Sequence, residues 1–224
     1  MKYAPFSHTK LSTFNTCPMQ FKFKYVDRLR EESNDAMTRG RSIHGDMEVY
    51  VKTQVTDNPA LMEFLETDVG VKYKKIIATG DNRAEVRLGL DESFAKIPYG
   101  KEAMVNCIID FIYMEDGVVH LVDWKTGRVP SEQDWSQLSM YALAFLKDAP
   151  VTISYVYLDH GVENTRSFTQ DDWAALRDEV ATRINNIETC TDMARKITWK
   201  CKYCGFRNIC HPETHGIENS IINI

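Results

Sequence analysis

The feature that most constrains this chain is "AMVNCIIDFIYMEDGVVHLVDWKTG", Ala103 to Gly127, in which two apolar runs flank a tight Glu-Asp-Gly turn. That pattern predicts a β-hairpin. Successive side chains of an extended strand alternate faces, so Val122 and Trp124 share one face while Asp123 and Lys125 share the other. Folding the hairpin brings Asp110 of the first run towards Asp123 of the second. Two acids held together repel, and a common physical reason to tolerate them is a hard divalent cation such as Mg²⁺ or Mn²⁺, which takes carboxylate oxygens as ligands. An isolated Asp-x-Lys at a strand end reads instead as a surface ion pair, so the rest of the chain has to decide.

With 224 residues, 43% of them hydrophobic, the chain is long enough to bury one substantial core, and a single domain over 1–224 is expected. The formal net charge of -5 gives no general attraction to polyanions, so any nucleic acid contact must use local patches. No stretch reaches the roughly 18 consecutive apolar residues of a membrane helix. The opening "MKYAPFSHTKLS" lacks the apolar run of a secretory signal, and a cytoplasmic location is expected.

Helices are predicted for "LSTFNTCPMQFKFKY", for "AMTRGRSIHGDMEVYVKTQ" with Ile43, Met47, Val49 and Tyr50 on its apolar side, and for "PALMEFLETDVGVKYKKI". Strands are predicted at "AEVRLGL", in both arms of the hairpin, and at "VTISYVYLDH" and "ENTRSFT". "SEQDWSQLSMYALAFLK" carries Trp135, Leu138, Ala142 and Phe145 at helical spacing behind a Ser-x-x-Asp cap-like start, which predicts a helix crossing the sheet. A further amphipathic helix is expected over "DDWAALRDEVATRINNIETC". The fold class is therefore α/β, a mixed central sheet flanked by helices with the pair from Val105 to Lys125 at its heart.

An acid on one strand followed by acid-x-Lys on the next resembles the PD-(D/E)xK nuclease superfamily, with Asp110, Asp123 and Lys125 at the matching positions and Ile109 where the superfamily often has proline. Its RecB-like branch adds a Gly-x-x-x-His helix before the sheet and a Gln-x-x-x-Tyr helix after the lysine, which Gly40 with His44 and Gln137 with Tyr141 resemble. The resemblance implies that His44, Asp110, Asp123 and the backbone carbonyl of Trp124 bind Mg²⁺ or Mn²⁺. It implies that Lys125 orients or deprotonates the attacking water, and that Gln137 and Tyr141 position the lysine or the DNA backbone. Glu85 is a further candidate on the preceding strand, whereas Glu48, one turn beyond His44, reads as a solvated helix residue, with a place near the site as the alternative. Phosphodiesters repel nucleophiles by their charge, so one or two divalent ions would neutralise the phosphate and generate hydroxide, with Lys125 adding positive charge beside the transition state.

Four cysteines remain to be placed. Cys201, Cys204 and Cys210 form C-x2-C-x5-C, with Cys17 far upstream, and zinc or a [4Fe-4S] cluster would suit such a set. A subset of RecB-like nucleases, including the AddAB nuclease domain and the CRISPR-associated RecB-like exonucleases, has one cysteine before the core and three behind it holding a [4Fe-4S] cluster. That resemblance implies a cluster on Cys17, Cys201, Cys204 and Cys210, tying 1–35 to 190–224 as one lobe, with Zn²⁺ as the alternative. Cys107 reads as a buried hydrophobe, Cys190 has no obvious partner, and His211 is a reserve ligand.

Lys22, Lys24, Arg28 and Arg30 follow Cys17, and Arg195, Lys196, Lys200, Lys202 and Arg207 surround the later cysteines. Phe21, Phe23, Tyr25, Trp199, Tyr203 and Phe206 interleave with them, a composition suited to single-stranded DNA. The function expected from the resemblance is a metal-dependent exonuclease at DNA ends, acting on single strands, in phage or mobile-element recombination, replication or CRISPR-like adaptation. The alternative is a non-catalytic DNA-end-binding or assembly subunit that keeps the fold. An aspartate phosphotransferase is disfavoured, because Trp124 separates Asp123 from Lys-Thr-Gly.

Overall fold

The computed structural model describes residues 1–31 and 35–210. The chain runs α1 (His8–Thr16), α2 (Pro18–Phe21), a π-helical turn (Lys22–Val26), α3 (Asp35–Thr53), α4 (Pro59–Leu65) and α5 (Asp68–Ala78). It continues through β1 (Asn82–Leu90), β2 (Lys96–Ile97), β3 (Val105–Glu115), β4 (Val118–Lys125), α6 (Ser136–Ala142), β5 (Val151–Tyr157), β6 (Val162–Phe168), α7 (Trp173–Glu188), a 3₁₀ turn (Trp199–Tyr203) and α8 (Arg207–Cys210). The sheet order is β2-β1-β3-β4-β5-β6, antiparallel except for the parallel pair β4 and β5 joined across α6. The expected mixed sheet is present with the β3–β4 hairpin at its centre; the two-residue edge strand β2 was not anticipated.

The hairpin turns on Asp116 and Gly117, both at positive φ (49° and 78°), the primed geometry whose twist suits flanking strands. One face of the sheet packs Leu121, Ile153 and Tyr155 against Leu11, Leu138 and Ile184 of the helices α1, α6 and α7. The other packs Val122, Trp124 and Val156 against Ile43, Met47 and Tyr50 of α3 and against α4 and α5. There Tyr73 meets Trp124 edge-on at 5.0 Å and donates its hydroxyl to Glu163 at 2.8 Å, so the Trp124 indole is fixed. Of the four apolar residues expected to line α3, Ile43, Met47 and Tyr50 are buried but Val49 is 53% exposed. Among the described residues, no helix is long and apolar enough to cross a membrane.

Three of the expected helices are interrupted, each for a local reason. Proline disfavours helical backbone in the residue before it, and Cys17, preceding Pro18, is extended (φ -161°, ψ 113°), which splits α1 from α2. The helix expected over 131–147 is regular only through Ser136–Ala142, and Asp134 rather than Ser131 accepts the Ser136 N–H, at 2.9 Å. The run from Pro59 breaks at Thr67, whose hydroxyl caps α5 by accepting the Gly70 N–H at 3.1 Å. Gly70 is pressed so closely on α4 that a Cβ there would lie 2.0 Å from the Phe64 carbonyl oxygen. Gly70→Ala is therefore expected to destabilise the protein by about 3 kcal/mol, as overpacking against backbone does. Chemical denaturation measures it, and a loss within experimental error would contradict the close approach.

Candidate active site

The two acids meet where the sheet forks. Pairing between β3 and β4 runs from Glu115 opposite Val118 to Phe111 opposite Val122 and stops there, while β4 continues to Lys125 paired with β5 alone. One step past the last pair stand Asp110 and Asp123. The Asp110 carboxylate takes over the lost ladder bond by accepting the Trp124 N–H at 3.0 Å. The alternation of β3 also slips at this point, because Val105, Cys107 and Ile109 pack into one core while Phe111 and Tyr113 pack into the other. The neighbouring strand slips with it: Glu85, which would face Asp110, drops out of the ladder at φ 52°. The fork therefore opens the sheet to both layers of helices.

From one side, α3 brings His44, whose Nδ1 lies 3.2 Å from Asp110 Oδ2. A cavity of about 220 Å³ opens here, lined by Arg41, His44, Glu48, Glu85, Asp110 and Trp124 together with Gly45. Burial lowers the His44 pKa, but the hydrogen bond and charge of Asp110 outweigh it and the imidazole is raised overall. From the other side, α6 brings Gln137, whose amide nitrogen donates to Asp123 Oδ1 at 2.7 Å while its oxygen accepts from Lys125 Nζ at 3.3 Å. Lys125 Nζ also lies 2.6 Å from Asp123 Oδ2 and 5.1 Å from the centre of the Tyr155 ring. Asp123 is 3% exposed and lies behind the cavity rather than on its wall. Burial first, and then the charge of Asp110, raises its pKa against the opposing pull of Lys125 and His44.

Asp123 Oδ2 is buried, and the Lys125 ammonium meets it at 2.6 Å. A desolvated carboxylate oxygen next to a second carboxylate is the donor set a divalent cation satisfies, and the residues fit such an ion in chemistry. They are not drawn together around one point: among the described residues, no three His, Cys, Asp or Glu side chains form a metal-holding group. Tyr141 is 5% exposed within the core cluster, too enclosed to touch a DNA backbone as the resemblance allowed. Gly40 packs near Thr126, where a Cβ would stand at 3.5 Å, so no steric need for glycine exists there.

The structure places two acids the sequence weighed and adds one, Asp159, that it did not mark. Glu48, expected to be solvated, lines the cavity one helical turn from His44 and pairs with Lys52, while Glu85, the looser candidate, lines it and pairs with Arg87 at 2.8 Å. Asp159 accepts the Gly127 N–H at 2.6 Å and takes Arg39 of α3 in a two-pronged ion pair at 2.9 and 2.6 Å. It thus pins the turn after Lys125 to the helix that carries His44. No local signal in "YLDHG" announces this role, because Arg39 is 120 positions away. Asp159→Ala is expected to lower turnover by about 10-fold or more, since small misplacements of reacting groups are costly. Stability should fall by only about 1 kcal/mol, as for a mostly exposed pair; an unchanged rate constant would remove Asp159 from the argument.

The four cysteines that the sequence grouped line one cavity of about 40 Å³. Cys17 reaches it from the break between α1 and α2; Lys196 N–H approaches its sulfur at 3.4 Å, and Phe23 packs on Phe206 at 5.6 Å. Burial raises the thiol pKa of Cys204 and of Cys210, and the neighbouring cysteines add to the rise in both. Cys107 is fully buried as expected, Cys190 meets only the Asp192 carbonyl at 3.2 Å, and His211 lies outside the described residues. The proposed basic and aromatic patch divides. Lys22 and Lys24 are committed to Asp27 and Glu31, and Phe21, Phe23 and Phe206 are packing residues. Trp199 and Tyr203 are 68% and 67% exposed.

A mixed sheet with helices on both faces, forked over an acid and an acid-x-Lys, is the architecture of a nuclease. The family model of the PD-(D/E)XK nuclease superfamily matches residues 5–211, and the chain belongs to that superfamily. Its members are nucleases that generally use Mg²⁺ or Mn²⁺. Among solved structures, one titled "Crystal structure of SSO0001" is similar over 89% of this chain and 84% of that one, at 16% identity and a TM-score of 0.44. No curated protein matches the chain.

Proposed function

We propose that this protein is a Mg²⁺- or Mn²⁺-dependent DNA exonuclease of the RecB-like branch that hydrolyses phosphodiester bonds at the ends of single strands. The observation that carries the reading is the fork, where Asp110, Asp123, Lys125 and Gln137 converge from two strands and a helix around a buried carboxylate. Asp110, Asp123, His44 and the Trp124 carbonyl would hold the cation. Bound there, it supplies neutralisation of the phosphodiester charge and activation of a water. Lys125 presents its ammonium beside the reacting phosphate, and Gln137 holds both Lys125 and Asp123 in register. DNA as the substrate, and recombination, replication or CRISPR-like adaptation as the setting, follow from the RecB-like resemblance.

From the RecB-like resemblance we also propose a [4Fe-4S] cluster on Cys17, Cys201, Cys204 and Cys210, with Zn²⁺ as the alternative; the four side chains line one cavity, although among the described residues no three of them are gathered as a metal-holding group. Digestion of end-labelled single and double strands with Mg²⁺ and with Mn²⁺ tests substrate, direction and metal together. Shortening of single strands from one end, abolished by Asp123→Ala, is the expected result; binding of DNA ends without hydrolysis under either metal would favour the non-catalytic subunit.

A further inference from the structure

Two large rings stand in water on the 3₁₀ turn that carries Cys201. Trp199 and Tyr203 lie edge to face at 6.3 Å, and burying such a side chain is normally favourable, so their exposure side by side calls for an occupant. Lys200 Nζ lies 5.9 Å from the Trp199 ring and Lys202 Nζ 4.7 Å from the Tyr203 ring, and neither lysine has a carboxylate partner among the described residues. The rings overlook a groove of about 420 Å³. Its floor is one face of α1, where Thr9, Ser12, Thr13 and Thr16 recur at helical spacing and present hydroxyls. Among the described residues no acidic side chain lines the groove, although the chain as a whole is acidic.

The groove ends beside the fork. His8, at the first position of α1, also lines it and shares a hydrogen bond with Ser136 Oγ at 3.0 Å. Ser136 precedes Gln137, which touches both Asp123 and Lys125. The nine residues of α1 span about 13 Å, a path of a few nucleotides.

We propose that this strip binds single-stranded nucleic acid, with bases stacked on Trp199 and Tyr203, phosphates held by Lys200, Lys202 and the α1 hydroxyls, and the strand led past His8 to the fork. It rests on the nuclease reading and adds the surface that selects single strands. Stacking needs unpaired bases, which a duplex does not offer, whereas hydroxyls and lysines hold phosphate without regard to sequence. A protein partner fits less well, because apart from the two rings the groove is polar and carries the Lys200 ammonium, with no acidic lining among the described residues.

The test uses the whole chain carrying Asp123→Asn, so that the probe is not consumed. Binding of labelled oligothymidine, oligouridine and a blunt hairpin duplex is compared before and after Trp199→Ala with Tyr203→Ala. Loss of about 10-fold in single-strand affinity for each ring, with duplex binding unchanged, is expected. Whichever of oligothymidine and oligouridine shows that loss identifies DNA or RNA as the occupant. A second variant, Lys200→Gln with Lys202→Gln, should reduce the slope of log affinity against log salt by about 1.4. Unchanged single-strand binding, or an equal loss on the duplex, overturns the strip. The two readings fail separately: ring-dependent binding by a chain that degrades nothing with either metal would spare the strip and sink the nuclease. Degradation of single strands with an unchanged KM after ring removal would do the reverse.

Discussion

Asp123→Asn is expected to lower nuclease activity by roughly 10³-fold while leaving the melting temperature unchanged or higher. The two effects have one cause. Asp123 carries its charge in a buried place next to Asp110, and burial and the neighbouring acid disfavour the charged form more than Lys125 and His44 favour it. Removing that charge relieves the fold of it. Lys125 is one-third exposed and can turn to water when its partner is neutral, and the asparagine oxygen still accepts from Gln137. On the proposed reading the same substitution would remove a hard ligand, and the several kcal/mol that a Lewis acid contributes to phosphoryl chemistry correspond to roughly three decades of rate. Asp110→Asn should behave differently, because Asp110 also pairs with His44 and caps the Trp124 N–H, so a loss of about 1 kcal/mol accompanies its loss of activity. Thermal melting with steady-state rates on both variants checks the contrast. A marked fall in melting temperature for Asp123→Asn would mean that Asp123 is retained for stability.

Cys201→Ala is expected to show the opposite balance, destabilising the protein by about 5 kcal/mol, well beyond the effect of Asp123→Ala. Cys17 and Lys196 are neighbours in space but 179 positions apart, joined by contacts such as the 3.4 Å approach of Lys196 Nζ to the Asn15 carbonyl. A group bound by all four sulfurs, as proposed, would close that loop, and loop-closure entropy for so long a segment is about 5 kcal/mol. If the group is an iron-sulfur cluster, the protein as purified without oxygen is brown and the Cys201→Ala protein is not. Equal melting temperatures for Cys201→Ala and Asp123→Ala would refute a structural role for the four cysteines.

The hairpin and the mixed sheet were legible in the sequence because each depends on local or strictly periodic rules, alternation along a strand and an Asp-Gly turn, whereas Cys17 was joined to the three later cysteines only by the family resemblance. The breaks at Cys17 and Thr67 were written there too, in Pro18 and in a threonine cap, but helical periodicity across them is the louder signal and hid them. Glu48 illustrates the opposite case. A charged residue on a helix reads as solvated unless its neighbours are known, and its neighbours Glu85 and Asp110 come from two distant strands.

By itself the sequence determined which chemical groups are present and which face of β4 they share, because side-chain alternation is a property of the extended backbone. Only tertiary structure decided that β3 and β4 part just beyond Phe111 and Val122, that Asp110 and Asp123 are reached from opposite layers of helices, and that Asp159 pins the turn after Lys125 to α3. A fork in a sheet arises when strands are drawn to different partners, and that competition is settled by packing across the whole core rather than by any segment of the chain.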